Sequence, residues 1–326
     1  MTPAGSSPSA AALSASARWR WWEFALLALA LLSWFLLPGH ALLLNEVAIL
    51  ALFALSLDLI LGYAGIVSLG HSAYFGFGAY VAALFAKHVL PDPLLGMAAA
   101  ILAATGLGFA TSGLILRGSD LTRLMVTLGI ALVLYELANR LDWLTGGADG
   151  LQGVVMGPLL GRFEFDLYGR TAYAYSLLVL LAALLFCRRL VHSPFGASLQ
   201  ALRDNPLRAA SIGLSVRRRL VAIYSIAGGI AGAAGALVAQ TAGFASLDVL
   251  DFHRSADVLL VLVIGGAGYL YGGIFGAIVF KLLHDAISVL TPQYWTFWLG
   301  LFLVVLVLVG RDRLVRPWTW WERRRT

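Results

Sequence analysis

The sequence of 326 residues has few charges, two lysines and one cysteine. Only 12% of its residues are charged, whereas about a quarter is usual for a soluble domain. A single soluble core is excluded, because a chain with 60% hydrophobic residues and a mean hydropathy of +0.85 could not bury so much apolar surface. The lone Cys187 excludes an intramolecular disulfide, a CxxC motif and a cysteine-rich metal site, and it is expected to fill space in a helix.

Catalytic motifs are missing from the sequence as well. A phosphate-binding P-loop needs a lysine directly after a glycine, but Lys87 follows Ala86 and Lys281 follows Phe280. Neither the HExxH motif of zinc proteases nor the GxSxG nucleophile elbow occurs. The sequence therefore predicts no catalytic residue, no metal site and no cofactor, and any ATP hydrolysis is expected on a separate chain.

What the chain does have is a series of apolar runs. Runs of about 18 or more apolar residues are typical of transmembrane helices. An uncleaved first helix, anchored by tryptophan and arginine at residues 18–22, is favoured over a cleaved signal peptide. The pattern predicts an all-α integral membrane protein of about ten transmembrane segments, at residues 22–37, 42–61, 70–90, 94–116, 121–141, 171–187, 220–239, 256–267, 272–287 and 295–310.

Arginine placement sets the expected orientation, because positively charged loops favour the cytoplasmic side. The loop 188–219 holds seven arginines against one acid, and the tail 312–326 is also basic. We therefore expect both termini in the cytoplasm, and we place the more acidic loops 142–170 and 240–255 outside. Because the basic residues lie between apolar runs, membrane lipid is the expected contact and nucleic acid is not.

These boundaries suggest three regions along the chain. Residues 1–17 are small, polar and low in complexity, so we expect a disordered N-terminal tail. A polytopic transmembrane domain is expected at 18–311, and it contains the cytoplasmic loop 188–219. A basic cytoplasmic tail follows at 312–326.

Glycine interrupts the apolar pattern once in each half of the chain. Irregular backbone at membrane depth persists only where it is buried in protein or lines a wet cavity. Paired breaks of this kind are typical of transporters whose pathway lies between two related halves. The predicted helix breaks are Gly62, Gly65, Gly70, Gly265, Gly266 and Gly268.

Polar residues within apolar helices often mark a transport pathway. The candidates here are Ser68, His71, Ser72 and Glu136. Structural alternatives stay open: His71 fits a buried, hydrogen-bonded histidine, and Glu136 can pair with Arg140 one helical turn further on.

The segment "ALRDNPLRAASIGL", residues 201–214, predicts a short helix inside the basic loop. Asn205 is a suitable N-cap, Pro206 suits the first helical position, and Gly213 suits a left-handed stop. The local sequence fits a docking helix and an ordinary structured loop equally well.

That segment resembles the cytoplasmic coupling loop of ABC-importer permeases, in which a short helix sits in a groove of the ATPase subunit. The acidic residue that often precedes the alanines is missing here. The matching residues are Asp204, Asn205, Ala209, Ala210 and Gly213.

Three further stretches carry recognisable motifs: "GYAGIVSLGHSAYFGFGAY" (62–80), "LTGGADGL" (144–151) and "SADVLLVLVIGGAGYLYGGIFGAIV" (255–279). They are similar, in the same order, to branched-chain amino acid permeases of the LivM type, and the resemblance spans about residues 42–310. Asp58 departs from it, because the family commonly has asparagine at that place.

The resemblance implies a permease subunit of an ATP-driven importer in the cell (inner) membrane. The importer is expected to move amino acids or similar small polar solutes into the cytoplasm, with branched-chain amino acids as the favoured solutes. It also implies separate ABC ATPase subunits, a second related permease subunit, and a periplasmic or extracellular solute-binding protein. The alternative is an ion-coupled secondary transporter driven through Asp58, Glu136 or His71. Such a transporter would share the glycine breaks but would leave the cytoplasmic loop unexplained.

Overall fold

A computed structural model describes residues 21–166, 168–290, 294, 297, 298, 300–302 and 304. Within those residues the regular structure is helical, and β pairing is limited to two isolated bridges. The expected disordered tail at 1–17, the basic tail at 312–326 and most of the expected segment at 295–310 lie outside the described residues.

Twelve α-helices are described, and three short 3₁₀ turns and one π-helical turn connect or extend them. The 3₁₀ turns are Pro38–His40, Gly147–Asp149 and Leu247–Leu250, and the π turn is Leu59–Tyr63. The α-helices are α1 (Trp21–Leu36), α2 (Ala41–Asp58), α3 (Ser72–His88), α4 (Pro93–Ile115), α5 (Asp120–Arg140), α6 (Asp142–Thr145), α7 (Arg170–Val191), α8 (Pro194–Asp204), α9 (Pro206–Ser211), α10 (Val216–Ala242), α11 (Phe252–Gly265) and α12 (Gly272–Leu290).

Six of the described helices are long and apolar enough to cross a membrane, which confirms the all-α membrane class. They are α2 with its π turn, α4, α5, α7, α10 and α12. Three other expected segments are shorter: α1 has 16 residues, α3 has 17 and α11 has 14. At 1.5 Å per residue α11 is about 21 Å long, against about 30 Å of hydrocarbon. Ten segments and the side of each terminus stay predictions.

Helix α10 lies at the centre of the bundle and packs on α4, α3 and α2. Its glycines allow this close approach. A Cβ added to Gly235 would lie 1.8 Å from the carbonyl oxygen of Phe75, and one added to Gly78 of α3 would lie 2.4 Å from the Cα of Gly232. Small residues at helix contacts provide the dispersion energy that holds helices together in lipid.

A buried ion pair fixes α1 to α7. Glu23 Oε2 and Arg188 Nη2 are 2.9 Å apart, and both side chains are less than a tenth exposed. Because removing one partner would leave an uncompensated charge in an apolar setting, the pair constrains how these helices align.

The two loops that the charge pattern places outside pair with each other. The backbone N–H of Leu151 donates a hydrogen bond to Ala245 O at 2.7 Å, and the N–H of Ala245 donates one to Leu151 O at 3.4 Å. Loops 142–170 and 240–255 therefore meet at the same end of the bundle.

Candidate functional site

The first helix break follows α2 directly. The helix widens into the π turn Leu59–Tyr63, and the N–H of Ile66 closes back onto Ile60 O at 3.1 Å. Gly65 then has φ +72, a conformation that favours glycine. Regular helix resumes only at Ser72, the start of α3. Isolated π turns of this kind are frequent at functional sites.

The second break separates α11 from α12. Gly266 and Gly268 have φ +97 and +82, so both lie in the region that favours glycine. The two helix ends approach so closely that a Cβ on Gly265 would lie 1.8 Å from Gly272 O. Glycine is therefore required at these positions of the turn.

Asp58 joins the two breaks. Its Oδ1 accepts a hydrogen bond from the backbone N–H of Gly268 at 2.7 Å, and the residue is only 1% exposed. Gly62 lies one turn further on, and a Cβ there would be 2.3 Å from the same Gly268 nitrogen. The sequence singled out Asp58 as a departure from the LivM pattern and as a candidate for ion coupling, and it did not predict this contact.

Arg203, the penultimate residue of α8, reaches both breaks from the basic loop. Its Nη1 donates to Gly62 O at 2.5 Å, and a Cβ on Gly65 would lie 2.6 Å from its Cγ. A Cβ on Gly268 would lie 3.4 Å from the same Nη1. In the sequence Arg203 is one of seven arginines in the loop 188–219, and no local signal distinguishes it from the others.

The short helix of the basic loop has the geometry that its sequence predicts. The Asn205 side chain accepts the N–H of Arg208 at 2.9 Å, Pro206 is the first helical residue, and Gly213 has φ +87. The N–H of Gly213 donates to Ala210 O at 2.9 Å, which closes the helix end. Asp204 lies just before this helix, with its carboxylate 3.4 Å from Arg203 Nε.

Helix α9 buries one of its alanines and exposes its larger apolar side chains. Ala209 is 3% exposed, whereas Leu207 and Ile212 are 81% and 72% exposed. Ala210 is exposed as well. A capped helix that presents apolar side chains beyond the membrane-spanning helices can receive a partner protein.

His71 is buried in an aromatic and hydroxyl environment. Its Nε2 is 2.9 Å from Ser56 Oγ, and that hydroxyl donates its proton to Phe53 O at 2.6 Å. The imidazole must therefore donate from Nε2. The ring stacks on Phe53 at a centroid distance of 5.5 Å. This conformation has the contacts of a structural histidine, and a role in the pathway stays a prediction.

Ser72 connects the start of α3 to α11. Its backbone N–H donates to Ser255 Oγ at 2.8 Å, and Ser255 Oγ donates in turn to Ser72 Oγ at 2.9 Å. Both serines and the nearby Ser68 are fully buried. The structure thus brings Ser68, His71 and Ser72 together inside the bundle. Ser255 was not singled out in the sequence analysis.

Glu136 lies apart from these residues, on the exposed side of α5. Its Oε1 is 2.5 Å from Arg140 Nε, and the two side chains are 50% and 78% exposed. Another part of α5 does reach the first break: a Cβ on Gly70 would lie 1.8 Å from Thr127 O.

The apolar helix bundle, the two touching breaks and the capped helix in a basic loop define a polytopic helical membrane protein. Residues 40–310 match the family described as branched-chain amino acid transport system / permease component, and the chain belongs to that family. It is a multi-pass membrane protein of the cell (inner) membrane and a permease subunit of an ABC importer.

Individual relatives show the breadth of the family. The chain is 29% identical over 294 residues to the high-affinity branched-chain amino acid transport system permease protein LivM of Escherichia coli (strain K12), covering 82% of this chain and 68% of the relative. It is 28% identical to LivM of Salmonella typhimurium over 82% and 68% of the two chains. The galactose/methyl galactoside import permease protein MglC of Haemophilus influenzae is 27% identical over 67% of this chain and 66% of its own. No solved structure matches the chain.

Proposed function

We propose that this chain forms one half of the membrane gate of an importer for amino acids or similar small polar solutes. Branched-chain amino acids are the proposed solutes within this class. Separate ABC ATPase subunits bind the loop 188–219 and supply all ATP hydrolysis. A second related permease subunit completes the gate. A periplasmic or extracellular solute-binding protein delivers the solute to the paired loops 142–170 and 240–255.

The observation that carries the proposal is helix α9, with Leu207 exposed on the helix and Ile212 exposed at its C-cap. Asn205 caps one end of this helix and Gly213 closes the other, so the element is fixed in shape before a partner binds. Asp204, Asn205, Ala209, Ala210 and Gly213 form this ATPase-coupling element. ATP binding draws the ATPase pair together, the loop moves with it, and access to the pathway alternates between the two sides.

The pathway runs beside the first break in this proposal. Ser68, His71 and Ser72 are buried in the present conformation and become accessible when access alternates. Glu136 reaches the path only where the exposed face of α5 meets the second permease subunit.

Co-purification tests the docking of an ATPase. An affinity-tagged chain isolated from its native membrane should carry an ABC ATPase with it. Leu207→Asp should lose that ATPase, because it places a charge on the apolar docking face. Val155→Asp is the matched control, since Val155 is 73% exposed in the loop placed on the opposite side. A tagged chain that transports solute without any ATPase partner would contradict the proposal.

The solute assignment rests on the two LivM relatives, whose names specify branched-chain amino acids. With the complete transporter in vesicles, leucine uptake should be reduced by excess isoleucine or valine and unaffected by galactose. Uptake of galactose in place of leucine would assign this chain to the sugar branch that MglC represents.

We also propose ten membrane segments with both termini in the cytoplasm. The pairing of Leu151 with Ala245 supports a common side for the two acidic loops. Cysteine labelling of intact cells tests this, because the one native thiol, Cys187, is buried and can be replaced by alanine. Asp149→Cys should react with an impermeant maleimide, and Ser211→Cys should react only after lysis. The reverse labelling pattern would show that the topology is inverted, with the loop 142–170 in the cytoplasm.

A further inference from the structure

The contacts of Arg203 set it apart from the other arginines of the loop. We infer that Arg203 is the positioning residue that transmits movement of the coupling loop to both helix breaks. This inference rests on the proposed docking of an ATPase at residues 205–213. It holds the first break through the Gly62 carbonyl at 2.5 Å and lies beside the second break at Gly268.

The connection between Arg203 and the docking helix is short. Arg203 lies in the last turn of α8, and Asn205 begins the cap of α9 two residues later. No flexible linker separates them, so displacement of α9 moves the Arg203 backbone directly. Helix α8 is itself anchored to α10, because Arg219 donates a hydrogen bond to Ser198.

The connection between the two breaks is equally direct. Asp58 and Gly62 belong to adjacent turns of one helix, and Asp58 Oδ1 holds the Gly268 N–H at 2.7 Å. Pulling on the Gly62 carbonyl therefore strains the turn that carries Asp58, and through it the α11–α12 connection. A hydrogen-bonded chain of this length is a physical path between the loop and both breaks.

Close packing makes this junction sensitive to the position of Arg203. The aliphatic stem of Arg203 lies over Gly65, and the guanidinium lies beside Gly268, both at positive φ. The side chain cannot shift along α8 without changing all these contacts together.

Hydrogen exchange on the complete transporter, with its ATPase and partner permease in nanodiscs, tests the inference. In the wild type, nucleotide binding should change exchange at residues 205–213, 59–66 and 265–270. In Arg203→Ala the change at 205–213 should persist and the changes at both breaks should disappear. The ratio of solute transported to ATP hydrolysed should fall about fivefold or more, because typical coupling between two sites changes an equilibrium by at least that factor.

Two further variants separate coupling from folding. Arg203→Met keeps the stem over Gly65 but removes the donor, so it should uncouple even if the alanine variant assembles poorly. Asp58→Asn keeps an oxygen acceptor for the Gly268 N–H and should stay coupled, whereas Asp58→Leu should uncouple. Arg117→Ala is the matched control, since Arg117 is an exposed arginine just beyond the end of α4, outside the loop 188–219, and the variant should behave as wild type.

The outcomes distinguish this inference from the proposed function. If both breaks still respond to nucleotide in Arg203→Ala or Arg203→Met, or if Asp58→Leu stays fully coupled, the role of this junction is wrong while the docking site stands. If residues 205–213 do not respond to nucleotide in the wild type, the proposed docking is overturned and this inference with it.

Discussion

The backbone N–H of Ser72 donates a hydrogen bond to the hydroxyl of Ser255, 183 residues away in the sequence, at 2.8 Å. This bond satisfies one of the amide groups that a helix leaves unpaired at its N-terminus. It also ties the end of the first break to α11, the helix that leads into the second. Together with Asp58 and Gly268, it gives the two breaks two separate points of contact.

Ser255→Ala should therefore destabilise the protein. The change leaves the Ser72 N–H and Oγ buried without this partner, at a cost of about 1–3 kcal/mol. Thermal unfolding in detergent should show a lower Tm. Ser211→Ala is the control, because Ser211 is exposed and bonds only within its own short helix. Equal Tm values for the two variants would show that the Ser72–Ser255 contact adds nothing.

Gly213→Val should reduce coupling while leaving membrane insertion intact. Apart from its chain neighbours, no atom of the residues that the structure describes lies within 4 Å of a Cβ at Gly213, so the effect comes from the backbone, whose φ is +87. A left-handed conformation costs a residue with a side chain about 1–2 kcal/mol. Gly213→Asn should keep coupling, because asparagine tolerates this region. Unchanged transport and ATPase stimulation in the valine variant would show that α9 is not the docking element.

His71→Ala should lower thermal stability and, through it, transport. The change removes the bond to Ser56 and the ring stacked on Phe53, and cavity-forming changes of this kind cost about 2–4 kcal/mol. His71→Gln keeps an N–H donor and should be less destabilised. Unchanged stability would show that the contacts of His71 with Ser56 and Phe53 do not stabilise the fold, and a change in transport alone would then leave His71 only its proposed place in the pathway.

His253 introduces a modest pH dependence at the start of α11. Its Nδ1 is 2.8 Å from Asp251 Oδ1, and this hydrogen bond raises the pKa of His253 above its ordinary value. Because the folded-state pKa is the higher one, the stabilisation is complete below about pH 6.5 and is lost as the pH rises through the raised pKa. Unfolding measured from pH 5 to 9 should show this decline in the wild type and not in His253→Gln. Parallel profiles for both proteins would exclude a role for the pair.

Local signals made part of this structure predictable. The cap at Asn205 and the stop at Gly213 lie eight residues apart, so the geometry of α9 follows from its own sequence. The positions of the glycine clusters indicated where the regular helix is interrupted. Glycine adopts the positive φ of Gly65, Gly266 and Gly268 without strain.

The contacts that connect these elements could not be predicted from one sequence. Arg203 and Gly62 are 141 residues apart, and Asp58 and Gly268 are 210 apart. No periodicity relates such positions, and tertiary packing alone brings them together. Helix length near the breaks was predicted unevenly: α3 has 17 residues and is shorter than the segment 70–90 expected for it, whereas α11 has 14 residues and is slightly longer than the short segment 256–267.

Solute uptake into sealed vesicles tests the central claim most directly, since it asks what drives transport. The vesicles should contain this chain, its partner permease and the ATPase, with the solute-binding protein on the outer-loop side. The account predicts uptake that requires ATP on the side of α9 and that continues when an ionophore collapses the ion gradients. Uptake that needs no ATP and stops with the ionophore would contradict it and would identify an ion-coupled transporter.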